Sequence, residues 1–168
     1  MMMQKRDLVL GAAAGAAATW LMDVITTKVY ELEPKEVQER ENRARGGRIA
    51  YETAAEKLAD LLGTELDDDQ RKDVGSAIHW SLGISSGVVY GALRPLLRRR
   101  GSGLLCGIAF WLLMDEAALT ITGLTPPPQE FPWQTHMRGL IGHLVLGATI
   151  ESAFCVSDAA GHALETSR

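Results

Sequence analysis

Four stretches of this sequence are apolar over about the length that crosses a bilayer, and each of them holds ionisable residues. They are residues 8–28, 75–94, 103–123 and 136–156. A spanning helix takes about 20 mostly apolar residues. The first stretch contains Asp23, the second His79, the third Asp115 and Glu116, and the fourth His143 and Glu151. A soluble four-helix bundle would confine its apolar positions to one stripe of each helix. Here the second stretch has no formal charge from Gly75 to Leu93. The expected fold is therefore all-α, an integral membrane protein with four transmembrane helices in a single membrane domain.

The N-terminus bears on the first span. Lys5 and Arg6 precede an apolar run, as in a signal peptide. The run continues through Trp20, Leu21, Met22, Val24 and Ile25, which favours a retained membrane helix. Charge elsewhere is concentrated in residues 31–74, a charged helical insert between the first two spans. Within it, Ile49, Ala50, Ala54, Leu58, Leu61 and Leu62 recur at helical spacing, and Gly63 ends the pattern. This amphipathic helix is expected to pack on its own membrane domain or to lie at the lipid surface. Asp67, Asp68 and Asp69 offer N-caps to the second span.

Basic residues in short flanks set membrane orientation. Lys5, Arg6, Arg94, Arg98, Arg99 and Arg100 fall on one side of a four-span topology, and the 124–137 loop on the other side has no Lys or Arg. Both termini are thus expected in the cytoplasm and the insert outside it. A net charge of −4 and the lack of a basic, aromatic-studded surface give no sign of nucleic-acid binding. Cys106 and Cys155 match no zinc or CxxC spacing and read as packing residues.

A four-residue step recurs in every span. Gly11, Gly15, Thr19 and Asp23 follow it, as do His79, Gly83, Gly87 and Gly91. Gly103, Gly107, Trp111 and Asp115 repeat it, and so do Gly139, His143, Gly147 and Glu151. Small residues at this spacing let membrane helices approach closely. The ionisable residues therefore lie on or near packing faces. At ~1.5 Å rise per residue, Asp23 and His79 lie ~6 Å from the non-cytoplasmic end, and His143, Asp115 and Glu116 ~10–14 Å from it. Glu151 falls toward the other half. Adjacent residues diverge by about 100° on an α-helix, so Asp115 and Glu116 are not expected to face the same neighbour.

Three readings compete for this intramembrane cluster: a polar network that fixes helix register, a proton or cation site, and a metal-dependent enzyme site. His, Asp and Glu suit zinc or iron, but no HExxH or Glu-x-x-His pair occurs. No nucleophile motif, P-loop or dinucleotide fingerprint appears, so the reading is non-enzymatic and no cofactor is named. The glycine stripes, especially Gly83, Gly87 and Gly91, also offer a docking face for a membrane-protein partner or a second copy. The GLTPPPQEFPW loop, with Pro126, Pro127, Pro132 and Trp133, is either a stiff connection or a lid over the cluster. Trp133 is expected at the membrane interface.

The combination of Gly123-Leu-Thr-Pro-Pro, Pro132-Trp133, Gly142-His143-Leu144-Val145 and Glu151 resembles the YagU-like bacterial inner-membrane proteins. Trp20-Leu-Met-Asp23, His79-Trp80, the Gly-Val-Val-Tyr-Gly run at 87–91 and Trp111-Leu-Leu-Met-Asp115-Glu116 extend the likeness over most of the chain. This family is defined by a domain of unknown function. The resemblance implies a small multi-span protein of the bacterial cytoplasmic membrane and no known reaction, substrate or cofactor. The charged insert departs from the shorter loop of the family's namesake.

Overall fold

The computed structural model describes residues 5–97 and 101–166. Arg98, Arg99 and Arg100, which entered the orientation argument, lie outside the described residues. The fold is all-helical, with no strand among the described residues. In chain order it comprises α1 (Lys5–Leu32), α2 (Lys35–Arg45), α3 (Ala50–Leu62), α4 (Asp68–Leu93) and α5 (Ser102–Trp111). A π-helical stretch (Leu112–Ala118) and a final turn, α6 (Leu119–Ile121), continue α5; α7 (Trp133–Thr166) follows a 3-10 turn at Pro128–Glu130.

Three helical segments are long and apolar enough to cross a membrane: Lys5–Leu32, Ser102–Ile121 and Trp133–Thr166. The fourth expected span falls in α4, which is less apolar than these three. It opens on Asp68, Asp69, Arg71, Lys72 and Asp73 and is dotted with serine and glycine further along. The helices also outrun the apolar stretches. Residues 31–32 belong to α1 and residues 68–74 to α4, so the insert reduces to α2, α3 and their connections. Hydropathy marks where side chains turn polar, whereas backbone hydrogen bonding carries a helix past that point.

The long helices pack antiparallel in the spatial order α4, α1, α7, α5. Glycine seams hold the outer pairs. A Cβ placed on Gly11 would lie 2.5 Å from the Gly87 carbonyl oxygen, and one on Gly15 would lie 2.6 Å from that of Gly83. Gly91 abuts Asp7 and Phe154. On the other side Gly103 and Gly147 face each other's carbonyls, and Gly107 faces that of His143. These glycine faces pack against other helices of the same chain. A small core of Ala14, Ala18, Tyr90, Leu146, Ile150 and Phe154 lies between the seams.

Local signals account for the remaining elements. Asp67 caps α4 in a capping box with Gln70, its Oδ1 accepting from the Asp69 and Gln70 amides. Gly63 ends α3 in the left-handed conformation that glycine adopts without strain. Yet α3 buries Ala55 and Ala59, leaving Leu58, Leu61 and Leu62 exposed. Gly75 of α4 abuts the Tyr51–Glu52 backbone, and alanines permit that approach where leucines would not. Cys106 and Cys155 are free.

Candidate functional site

At the end of the bundle reached by the C-terminal part of α1, the seams open into a cavity of about 610 Å³. Asp23 of α1, His79 of α4, and Asp115 and Glu116 of the π-helical stretch line it. His143 stands immediately behind Asp115. Glu151 is elsewhere, at the opposite end. Its carboxylate accepts from the amides of Gly101 (2.9 Å) and Gly103 (3.0 Å), capping the start of α5.

Three histidine–carboxylate pairs gather here. His79 Nε2 lies 2.8 Å from Asp23 Oδ1, joining α4 to α1. His143 Nδ1 donates to the Gly139 carbonyl at 2.9 Å and lies 3.6 Å from Asp115 Oδ2. The third pair brings in a residue outside the expected cluster. His136 Nδ1 lies 2.7 Å from Glu116 Oε1, and its Nε2 donates to the Pro128 carbonyl at 3.0 Å. A carbonyl only accepts, so Nε2 carries a hydrogen. The bond between Nδ1 and Oε1 needs a second proton, on one atom or the other. This pair is therefore an imidazolium facing a carboxylate, or a neutral imidazole facing a carboxylic acid, and is neutral as a unit in both cases.

Asp115 and Glu116 both engage α7, through histidines seven residues apart, and both line the same cavity. The expectation that they cannot face one neighbour fails because residues 112–118 are π-helical. The i→i+5 bonding of a π-helix widens the turn, reducing the angle between adjacent side chains; such turns often mark functional sites.

The cavity's outer wall comes from the insert and the proline loop. Tyr51 of α3 packs against His79 with ring centroids 4.8 Å apart. Burial, reinforced by the charges of Asp115 and Asp23, pushes the Tyr51 phenol well above its usual range. Pro126, Pro128 and Phe131 contribute to the wall, and the bond from His136 ties the loop to α7. Pro127 is exposed and Pro132 is buried beside the start of α7. Trp133 is 68% exposed and lies outside the cavity lining. Lys57 of α3 donates to the carbonyls of Thr122 (2.8 Å) and Gly123 (3.0 Å), fastening α3 to the end of α6.

A buried ion cluster locks α2 over the site. Arg138, 8% exposed, donates to both oxygens of Glu33 at 2.6 Å and to those of Glu41 at 2.6 and 2.5 Å. Glu41 is 1% exposed and also pairs with Arg45 and accepts from Thr135 Oγ1 at 2.8 Å. Gln38 closes the end of α1 by donating to the Tyr30 and Glu33 carbonyls. Sequence reasoning missed Arg138, Glu33, Glu41 and His136. The available signal was a lone arginine and a histidine in the first turns of a helix facing a basic-free loop.

Among the described residues no three His, Cys, Asp or Glu side chains converge as metal ligands. His79 and His136 each bond to their own carboxylate, and His143 bonds to the Gly139 carbonyl. Trp111 Nε1 is buried without a hydrogen-bond partner, and its residue lines the cavity. A Cβ on Gly139 would lie 3.2 Å from both Trp111 Nε1 and Asp115 Oδ2, so this donor and this acceptor border one small space. Compared with known protein families, curated proteins and solved structures, the chain finds no match.

Proposed function

We propose that this chain is a four-span protein of the bacterial inner membrane, related to the YagU-like family, whose cavity takes up and releases protons with changing pH. The observation that carries the reading is the convergence of Asp23–His79, Glu116–His136 and Asp115–His143 on one end of one bundle. Histidine changes charge between about pH 5 and 8. Ionisable residues at membrane depth commonly mark proton or ion pathways. The role is a non-enzymatic one in the membrane, with no covalent chemistry assigned to the site.

The packing supports a fourth span. Along α1, Asp7 meets Gly91, Gly11 meets Gly87, Gly15 meets Gly83 and Asp23 meets His79. A bilayer crossed by α1 is therefore crossed beside it by α4. Arg6 donates to Ser157, and Arg94 pairs with Asp158. The start of α1, the end of α4 and the distal part of α7 thus share one end, and the basic flanks support a cytoplasmic position for it.

Two measurements test this. Washing membranes of expressing cells with carbonate leaves the protein in the pellet; release into the wash removes the membrane reading. In purified protein, Trp80 and Trp111 report on the cavity they line. Their fluorescence shifts across about pH 5–8 in the wild type, and Asp115→Asn changes the profile. A flat profile in the wild type, with no proton flux in reconstituted vesicles, overturns the proposal.

A further inference from the structure

The basic residues around the cavity are already matched. Arg138 and Arg45 are paired with Glu33 and Glu41, neither of which lines the cavity. Lys72, which pairs with Asp69 at 3.8 Å, and Glu52 lie on the lining as opposite single charges with no ion pair between them. Glu116 and His136 are neutral as a unit. Asp23 and Asp115 remain, and no Arg or Lys among the described residues lies within ion-pair distance of either. With His79 and His143 neutral and the two carboxyls ionised, the cavity contains negative charge that no Arg or Lys among the described residues pairs with. The Asp23 and Asp115 side chains are 40% and 27% exposed, and a partly desolvated anionic group gains from a counter-charge, so the site favours a cation.

The size and walls of the cavity indicate which kind. A water occupies about 30 Å³ and a small-molecule pocket about 300–1,000 Å³. At about 610 Å³ the cavity far exceeds a bare inorganic ion. Tyr51, Trp80, Trp111 and Phe131 supply aromatic surface to the lining. Aromatic faces with nearby carboxylates suit organic ammonium groups, whose charge is diffuse and whose substituents are apolar. The unpartnered indole N–H of Trp111 beside Asp115 adds a donor for a ligand oxygen.

We infer that the cavity binds an organic ammonium ion between Asp23 and Asp115, in exchange for protons on His79 and His143. This rests on the proton-handling reading and names what the protons exchange with. His79 is faced by Asp23 from α1 and Tyr51 from α3. Asp115 is surrounded by the charges of His143, Glu116, His79 and Arg45. Protonating His79 or His143 supplies the positive charge that the ligand would otherwise bring, so ligand and proton compete. A hydroxylated ammonium such as choline could accept from Trp111 Nε1 and donate to Asp115.

The experiment is calorimetric titration of the full chain in nanodiscs with choline, benzyltrimethylammonium and the uncharged choline isostere 3,3-dimethylbutan-1-ol. Saturable binding of a cation is expected near pH 8, about tenfold weaker near pH 5.5. The isostere binds at least about tenfold more weakly than choline, a comparison that needs no variant. Asp115→Asn lowers cation affinity by about tenfold or more. Trp111→Phe, which keeps an aromatic wall, weakens choline severalfold and spares benzyltrimethylammonium, which has no oxygen. A pH-dependent fluorescence change without binding of either cation overturns this inference and leaves the proton-handling reading standing. Equal binding of choline and its isostere, or binding indifferent to pH, also overturns it. A wild-type protein that neither responds to pH nor binds cations removes both.

Discussion

The seam between α1 and α4 and the seam between α5 and α7 are built on the same four-residue step and part company near the cavity. In the first, two glycines on each helix meet, Thr19 fills the next position against Gly83, and Asp23 meets His79 at 2.8 Å. In the second, Gly103 meets Gly147, Gly107 meets the His143 backbone, and Trp111 and Asp115 then stand over Gly139. His143 arrives one step earlier than His79 does and bonds to its own helix, so Asp115 is left 3.6 Å from it. The first seam closes with a satisfied pair. The second ends with an indole N–H that lacks a partner and a carboxylate without a short hydrogen bond, on a helix that has slipped into π geometry. The difference separates a seam that ends in a direct hydrogen bond from one whose last polar groups lack a short partner.

The largest expected effect comes from filling either seam. Gly87→Leu puts side-chain atoms against the backbone of Gly11 and Gly15, which no rotamer change relieves. Overpacking costs about 1–3 kcal/mol where neighbours can yield, and more is expected against backbone. The variant should lose monodisperse protein in gel filtration, whereas Gly161→Leu, with nothing within 4 Å, should not. Gly107→Leu should behave like Gly87→Leu. If one seam tolerates leucine and the other does not, the seams are not mechanically equivalent.

The ion cluster at the open end ranks next. Arg138→Ala leaves Glu33 and Glu41 buried without their main partner, a change of about 3–5 kcal/mol in comparable buried pairs. Arg45 still reaches Glu41, which tempers the loss. The expected result is a large drop in thermal midpoint and faster proteolysis in α2. Unaltered cleavage there would mean that the bonds from Gln38 to the end of α1 and from Thr135 to Glu41 suffice to hold α2.

Much of the seam architecture can be read from the sequence because it depends on spacing alone. Gly11, Gly15, Gly83 and Gly87 lie four residues apart, and that step forces a face whatever its partner. Asp23 and His79 were placed at one depth by the same arithmetic. The features that escaped depend on tertiary context. Residues 112–118 carry no marker of i→i+5 bonding, so the shared orientation of Asp115 and Glu116 was hidden. Arg138 and His136 sit in the first turns of α7, and their partners come from a helix charged on all sides, from the π-helical stretch and from a proline loop. On α3 the leucines suggested the buried face, but close approach to Gly75 selected Ala55 and Ala59.

A smaller effect distinguishes the closed ends. Glu151→Gln removes a charge from the start of α5, where it accepts two backbone hydrogen bonds. Charge at a helix N-terminus contributes about 0.3–1 kcal/mol, up to ~2 when partly buried. Glutamine keeps one acceptor, so the loss should fall in the lower part of that range. Faster amide hydrogen exchange at residues 101–105, with an unchanged pH response of Trp80 and Trp111, would place Glu151 in the fold and not in the cavity. A shifted pH response would link the two ends through α7.

The smallest effect at neutral pH concerns Tyr51, which packs on His79 at the end of the first seam and is influenced by Asp115 at the end of the second. Its phenol titrates well above the ordinary value of about 10, mainly through burial. A group whose proton is held more tightly in the folded state contributes stability that is present below its unfolded value and is lost as pH rises above it. Tyr51→Phe should therefore be nearly silent at pH 7 and should flatten the alkaline fall in thermal midpoint above about pH 10. Adding Asp115→Asn or Asp23→Asn to the wild-type tyrosine should soften the same fall by removing a charge that opposes the phenolate. Equal softening by both would show that the two seam ends act on Tyr51 as one electrostatic site. Softening by Asp23→Asn alone would leave Asp115 facing the cavity without reaching α3, and the comparison between a closed seam and an open one would then extend to the wall above them.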